Sequence, residues 1–329
     1  VISIFKKNDV LNIILLLPYA ILIRLKSLIQ PQAYTVTEAD SILSSWLFSI
    51  VSSPLLQSII AILLVFAQAI AINVLINNNR LYRSPNTLAG MIYILLVSCV
   101  PQLQYLSPAL IGATFVIIAT FYVFNTYKLN AATLNIFNAA LTSCLAAFIY
   151  PPYALVIIAI FIGLATLRNF SLLERLQFLI GYVAVVWIFG SLYFYLDKLG
   201  ADVFGYFDFP GVISNITYSL SPENIITLAY LLLVVISLVN YYNFVKKKGI
   251  DVRKKIAFYY WLMVCAFISI FSYAGVEYQH FIYLAIPLSF FLSMSLLIVR
   301  QTFLVEVVHF CLIVGLLYYQ FIGFIPVSG

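Results

Sequence analysis

Charge is what this sequence has least of. Its 329 residues include 17 Lys and Arg and 11 Asp and Glu, 9% of the chain, where a soluble domain carries about 25%. So few charges cannot cover the surface of a soluble protein of this size. That excludes a cytosolic enzyme, a nucleic-acid-binding protein and a disordered chain. Ligand chemistry is equally scarce. The four cysteines, Cys99, Cys144, Cys265 and Cys311, are far apart in apolar runs, so neither a zinc site nor a disulfide framework is implied. The two histidines, His280 and His309, lack HExxH-type spacing. No GxGxxG, Walker or GxSxG motif occurs, so no metal, cofactor or nucleotide is implied.

What is present is apolar sequence, 64% of the residues, and the composition is that of a polytopic membrane protein. A spanning helix needs about 20 mostly apolar residues. Such runs lie near 10–30, 55–76, 86–100, 107–125, 131–149, 151–167, 176–196, 224–244, 257–275, 278–299 and 303–322. The third and sixth are short, which suits tilted, re-entrant or hairpin segments. Pro151-Pro152 ends one run and starts the next, because proline is tolerated only in a helix's first turn. Lys6-Lys7 before the first run resembles a signal peptide, but no small-residue cleavage site follows, and the run reads as a retained helix. The expected fold is an all-α bundle of about eleven spans forming one integral membrane domain over 1–329.

Basic residues orient it. With the N-terminus inside, Lys6, Lys7, Arg80, Arg83, Lys128, Arg168, Arg175, Lys246, Lys247, Lys248, Arg253, Lys254, Lys255 and Arg300 all fall in inside loops. The positive-inside rule then places the C-terminus outside. The loop Lys246–Lys255 is the main inside feature. It reads as an anionic-lipid anchor, worth about 1 kcal/mol per basic residue, or as a docking site for a cytoplasmic partner.

The first outside loop has two readings. Ile42, Leu43, Trp46, Leu47, Ile50 and Val51 form one helical stripe opposite Ser41, Ser44, Ser45, Ser49 and Ser52, predicting an amphipathic helix near 41–53 in the outer interface. Thr37 and Asp40 then make a capping box, or Glu38 or Asp40 acts as a general base on a lipid-linked substrate. Arg24 and Lys26, near the outer end of the first run, either snorkel to the headgroups or serve a function there. Gln68, Asn73, Gln104, Asn135 and Asn138 read as interhelical hydrogen-bonding groups. Glu306 and His309 read as a packed interfacial pair.

A first span followed by an acidic loop and a horizontal helix resembles the GT-C membrane glycosyltransferases. That resemblance implies Glu38 or Asp40 as catalytic base and Arg24 and Lys26 as lipid-phosphate ligands. The whole chain resembles an uncharacterised family of inner-membrane proteins from Bacteroidota. The residues that carry this are Phe5-Lys6-Lys7-Asn8-Asp9, Tyr150-Pro151-Pro152, the stretch from Arg168 to Arg175 leading to Gly181-Tyr182, and Arg253-Lys254-Lys255 before Tyr259-Tyr260-Trp261. It implies the inner membrane of a Gram-negative envelope and no catalytic residue or cofactor. The functional expectation is a non-enzymatic subunit of an envelope assembly, such as a secretion or protein-export complex, with membrane lipids and other inner-membrane proteins as partners. The alternative is a GT-C-like glycosyltransferase, and a solute transporter comes third.

Overall fold

The computed structural model describes residues 2–36, 41–196, 222–246, 248–270, 278–299 and 302–321. Every regular element among them is helical. The chain begins with a helix in pieces, α1 (Ile2–Phe5), α2 (Val10–Ile14), α3 (Leu16–Ile23) and α4 (Leu25–Ile29), followed by α5 (Ile42–Ile50). The central part comprises α6 (Pro54–Asn78), α7 (Leu88–Leu96), α8 (Pro108–Asn125), α9 (Thr133–Ile149), α10 (Ala154–Leu167) and α11 (Leu172–Tyr195). The last third holds α12 (Pro222–Val239), α13 (Tyr241–Val245), α14 (Ile250–Ile270), α15 (His280–Ile298) and α16 (Thr302–Phe321). Each apolar run of the sequence falls on helix. Four of these helices, α6, α8, α11 and α15, are long and apolar enough to cross a membrane.

Local signals set the boundaries. α6 and α8 open on proline behind Ser53 and Ser107, and the Ser107 hydroxyl accepts from the Leu110 amide. α11 opens with a complete capping box between Ser171 and Glu174. Pro151–Tyr153 forms a 3₁₀ turn between α9 and α10, as the proline pair requires.

Three boundaries differ from the sequence expectation. The N-cap of α5 is Ser41, whose hydroxyl accepts from the Ser44 amide; Thr37 and Asp40, the expected capping pair, lie outside the described residues. The expected basic loop becomes helical at Ile250, because Asp251 in the first turn suits the helix dipole and Lys and Arg are good helix formers. The short third run is a nine-residue helix, α7, about 14 Å long, which gives way to turns and a 3₁₀ segment at Pro101–Leu103.

α7 and α15 form the centre. Every residue from Leu88 to Ile94 and from His280 to Phe291 is buried. Around them the rings of Phe124, Phe258, Tyr259, Phe290 and Tyr82 pack edge-on or stacked, with centroids 4.5–5.7 Å apart. Close helix contacts are made at glycine. A Cβ at Gly163 of α10 would stand 2.2 Å from the Phe258 ring of α14.

Candidate functional site

Where α7 ends, its last carbonyls and those of the following turns have no helical partner. Arg24 fills that gap from the break between α3 and α4. It is 0% exposed. Its Nε donates to Ser98 Oγ at 2.8 Å, Nη1 to the Gln104 carbonyl, and Nη2 to the Val97 and Leu103 carbonyls, each at 3.1 Å. The planar guanidinium presents donors on several sides at once, which an ammonium does not. Aligned carbonyls at a helix C-terminus also carry partial negative charge, the natural neighbour of a cation. Among the described residues, every group bonded to the guanidinium is a neutral acceptor. Arg24 therefore does not snorkel: it lies inside the protein. Lys26, two residues past Arg24, is half-buried.

The amides continue this polar seam through the core. Tyr93 of α7 donates to Gln68 Oε1 at 2.8 Å, and Gln68 Nε2 donates to Thr114 Oγ1 and the Leu110 carbonyl of α8, both at 2.8 Å. Tyr153 donates to the Ala109 carbonyl at 2.9 Å, and the Tyr150 hydroxyl lies 3.1 Å from His280 Nδ1. Gln104 Nε2 returns to the Ser98 carbonyl at 3.0 Å. The seam ties α6, α7, α8, α15 and the Pro151 turn together by satisfying buried polar groups.

α5 docks by its serine side. Ser44 Oγ donates to the Ile149 carbonyl at 2.8 Å and Ser41 Oγ to the same oxygen at 3.3 Å, while Phe48 is buried against Tyr34. Trp46 and Ile50 point away from the protein, as the apolar side of an interfacial helix does. Glu38 and Asp40, the candidate bases just ahead of α5, lie outside the described residues. Glu306 accepts from the Ser3 amide at 3.2 Å, and His309 Nε2 lies 3.3 Å from the Tyr19 hydroxyl.

The basic segment turns partly inward. Lys248 Nζ donates to the Leu81 carbonyl at 3.0 Å, Lys254 Nζ to the Leu167 carbonyl at 3.2 Å, and Lys255 Nζ to Asn79 Oδ1 at 2.6 Å. Lys255 also stands 5.6 Å from the Phe124 ring centroid and 5.4 Å from that of Tyr127. Lys246 and Arg253 remain exposed, and Lys247 lies outside the described residues. Burial pushes the Lys255 ammonium below the usual lysine range; Lys128 adds to the depression and Asp251 opposes it. Because the unfolded chain keeps the ordinary lysine value, it binds the proton that the folded chain lacks between the two values, so stability rises with pH there. Detergent-solubilised protein is therefore expected to gain stability as the pH rises toward the ordinary lysine value, with a smaller gain in Lys255→Met. Equal pH profiles for the two proteins in thermal unfolding would remove this role for Lys255.

The sequence marked Arg24, Gln68 and Gln104 individually but not their partners Ser98 and Tyr93. The one available signal was the shortness of the third run together with Pro101. Among the described residues no group of His, Cys, Asp and Glu is arranged to hold a metal ion. The family of unknown function DUF6427 matches residues 36–327. No curated protein and no solved structure matches.

Proposed function

We propose that this chain, which belongs to the DUF6427 family of unknown function, is a multi-pass protein of a bacterial inner membrane and a non-enzymatic subunit of an envelope assembly, such as a secretion or protein-export complex. The observation that carries the reading is the contrast between a filled centre and an uncovered flank. In α15, 72% of the most apolar stretch is buried inside the protein; in α11 the share is 17%. α11 rests on α9 at Gly181, buries Phe178 and Val185, and turns Trp187 (75% exposed) and Phe194 (73% exposed) outward. An apolar flank of this size is covered by lipid or by another chain. The aromatic packing of the centre favours a structural subunit over a solute transporter, since a solute path needs a polar cavity between helices.

Eleven spans with the N-terminus inside fit the pairing of the loops. Thr87 N donates to the Phe5 carbonyl, Lys255 to Asn79, Lys248 to Leu81, Lys254 to Leu167 and Arg168 to Thr126, joining segments all assigned to the inner side. Arg24 with residues 97–104, Ser44 with Ile149, Tyr150 with His280, and Gln320 with Ile23 join segments assigned to the outer side.

The test is a chromosomally tagged copy purified in mild detergent beside the double variant Glu38→Gln, Asp40→Asn. The subunit reading expects defined membrane or secretion proteins in fixed ratio, with the double variant keeping cellular function and normal surface glycans. Loss of surface glycans in the double variant, with the protein present at wild-type level, would replace it by the glycosyltransferase reading.

A further inference from the structure

α10 and α11 diverge where α11 leans on α9, and an open trench of about 360 Å³ runs between them. Its walls are hydrocarbon: Ile157 and Phe161 from α10, Phe178, Leu179 and Tyr182 from α11. The floor near one end is an edge-to-face cluster of Phe161, Phe170 and Phe178, with centroids 5.2–6.5 Å apart. At that end stands Arg175. Its Nε donates to the Phe170 carbonyl at 3.1 Å, and its guanidinium lies 5.9 Å from the Phe170 ring centroid, so the head is held in place. Its terminal nitrogens make no hydrogen bond among the described residues. The nearest acid in sequence, Glu174, is already taken: it pairs with Arg168 at 2.5 Å and caps Ser171. Among the described residues, Arg175 is thus a positioned cation without a counter-charge at the mouth of an apolar channel.

We propose that this trench binds one anionic phospholipid, its phosphate on the free Nη groups of Arg175 and one acyl chain along Phe161, Leu179 and Tyr182. Phosphate suits a guanidinium fork, and the chain suits a wall that is almost wholly hydrocarbon. From Arg175 to Tyr182 the helix rises about 10 Å, against about 15 Å for the hydrocarbon of one leaflet. The channel therefore takes most of a chain whose headgroup stays at the surface. Arg175 belongs to the end of the bundle where Arg168 bonds Thr126 and Lys254 bonds Leu167, the end assigned to the anionic inner leaflet. The inference rests on the membrane reading, which is tested separately by recovery of the wild-type chain from the membrane fraction.

The experiment is native mass spectrometry of delipidated protein in detergent, titrated with phosphatidylglycerol, with phosphatidylcholine, and with glycerol phosphate lacking acyl chains. The wild type is expected to retain phosphatidylglycerol preferentially and to ignore glycerol phosphate. Arg175→Gln is expected to lose that preference by about fivefold, which corresponds to ~1 kcal/mol for a basic residue at the surface. Leu179→Trp, which fills the channel and leaves Arg175 in place, is expected to lose binding of both lipids there. Arg83→Gln, removing an exposed guanidinium outside both the trench and the 246–255 segment, is expected to change nothing. Unaltered preference in Arg175→Gln, unaltered binding in Leu179→Trp, or an equal loss in Arg83→Gln overturns the proposal. Thermal unfolding of each variant identifies one that has misfolded, and the other then decides.

Discussion

Arg24→Met is expected to destabilise the folded protein by on the order of 3–5 kcal/mol. The substitution keeps an apolar stem of similar length and removes the donors. The Ser98 hydroxyl and the carbonyls of Val97, Leu103 and Gln104 then stay buried with less to bond, and each buried acceptor left unpaired costs about 1–3 kcal/mol. Arg24→Lys is expected to recover little. One ammonium on a flexible stem cannot span groups that surround the guanidinium plane, so the residue is needed for its shape as much as its charge. Thermal unfolding of the purified protein in detergent measures both variants. A methionine variant that unfolds with the wild type would show that the turn after α7 holds itself.

The second large effect comes from two glycines on one helix with opposite outcomes. A Cβ at Gly181 would lie 2.7 Å from the Phe137 carbonyl oxygen and 3.0 Å from the Ala140 Cβ, both on α9. The carbonyl is backbone and cannot turn aside, so α11 must move off α9, and Gly181→Ala is expected to cost about 1–3 kcal/mol. At Gly190 a Cβ meets nothing within 4 Å. Alanine there only gains helix propensity, up to about 1 kcal/mol, so Gly190→Ala is expected to match or exceed the wild type. Unfolding midpoints measured side by side decide it: two substitutions with the same sign would show that α11 does not rest on α9 at Gly181.

Most of the fold was legible because membrane helices announce themselves by length and apolarity. Every run marked in the sequence falls on helix, and the serine and apolar sides of α5 were readable from spacing alone. The cap of α5 was misassigned because Thr37 with Asp40 and Ser41 with Ser44 both offer a polar residue three positions apart, and only the chain's path chooses between them. The inward turn of Lys248, Lys254 and Lys255 was not legible, since their acceptors at Leu81, Leu167 and Asn79 come from other parts of the sequence. Arg24 was visible as an anomaly, an ionisable group inside an apolar run. What it bonds was hidden, because Ser98 and the carbonyls around it look like any loop until the chain brings them 73–80 residues back.

The last helix closes on the first. Gln320 of α16 donates to the Ile23 carbonyl at 2.9 Å, Tyr19 meets His309, and Glu306 accepts from Ser3. α3 is synthesised about 280 residues before α16, so one side of α3 stays unclaimed until α16 has been made. Assembly is therefore circular rather than progressive: no fragment that stops short of α16 contains all the neighbours of α3.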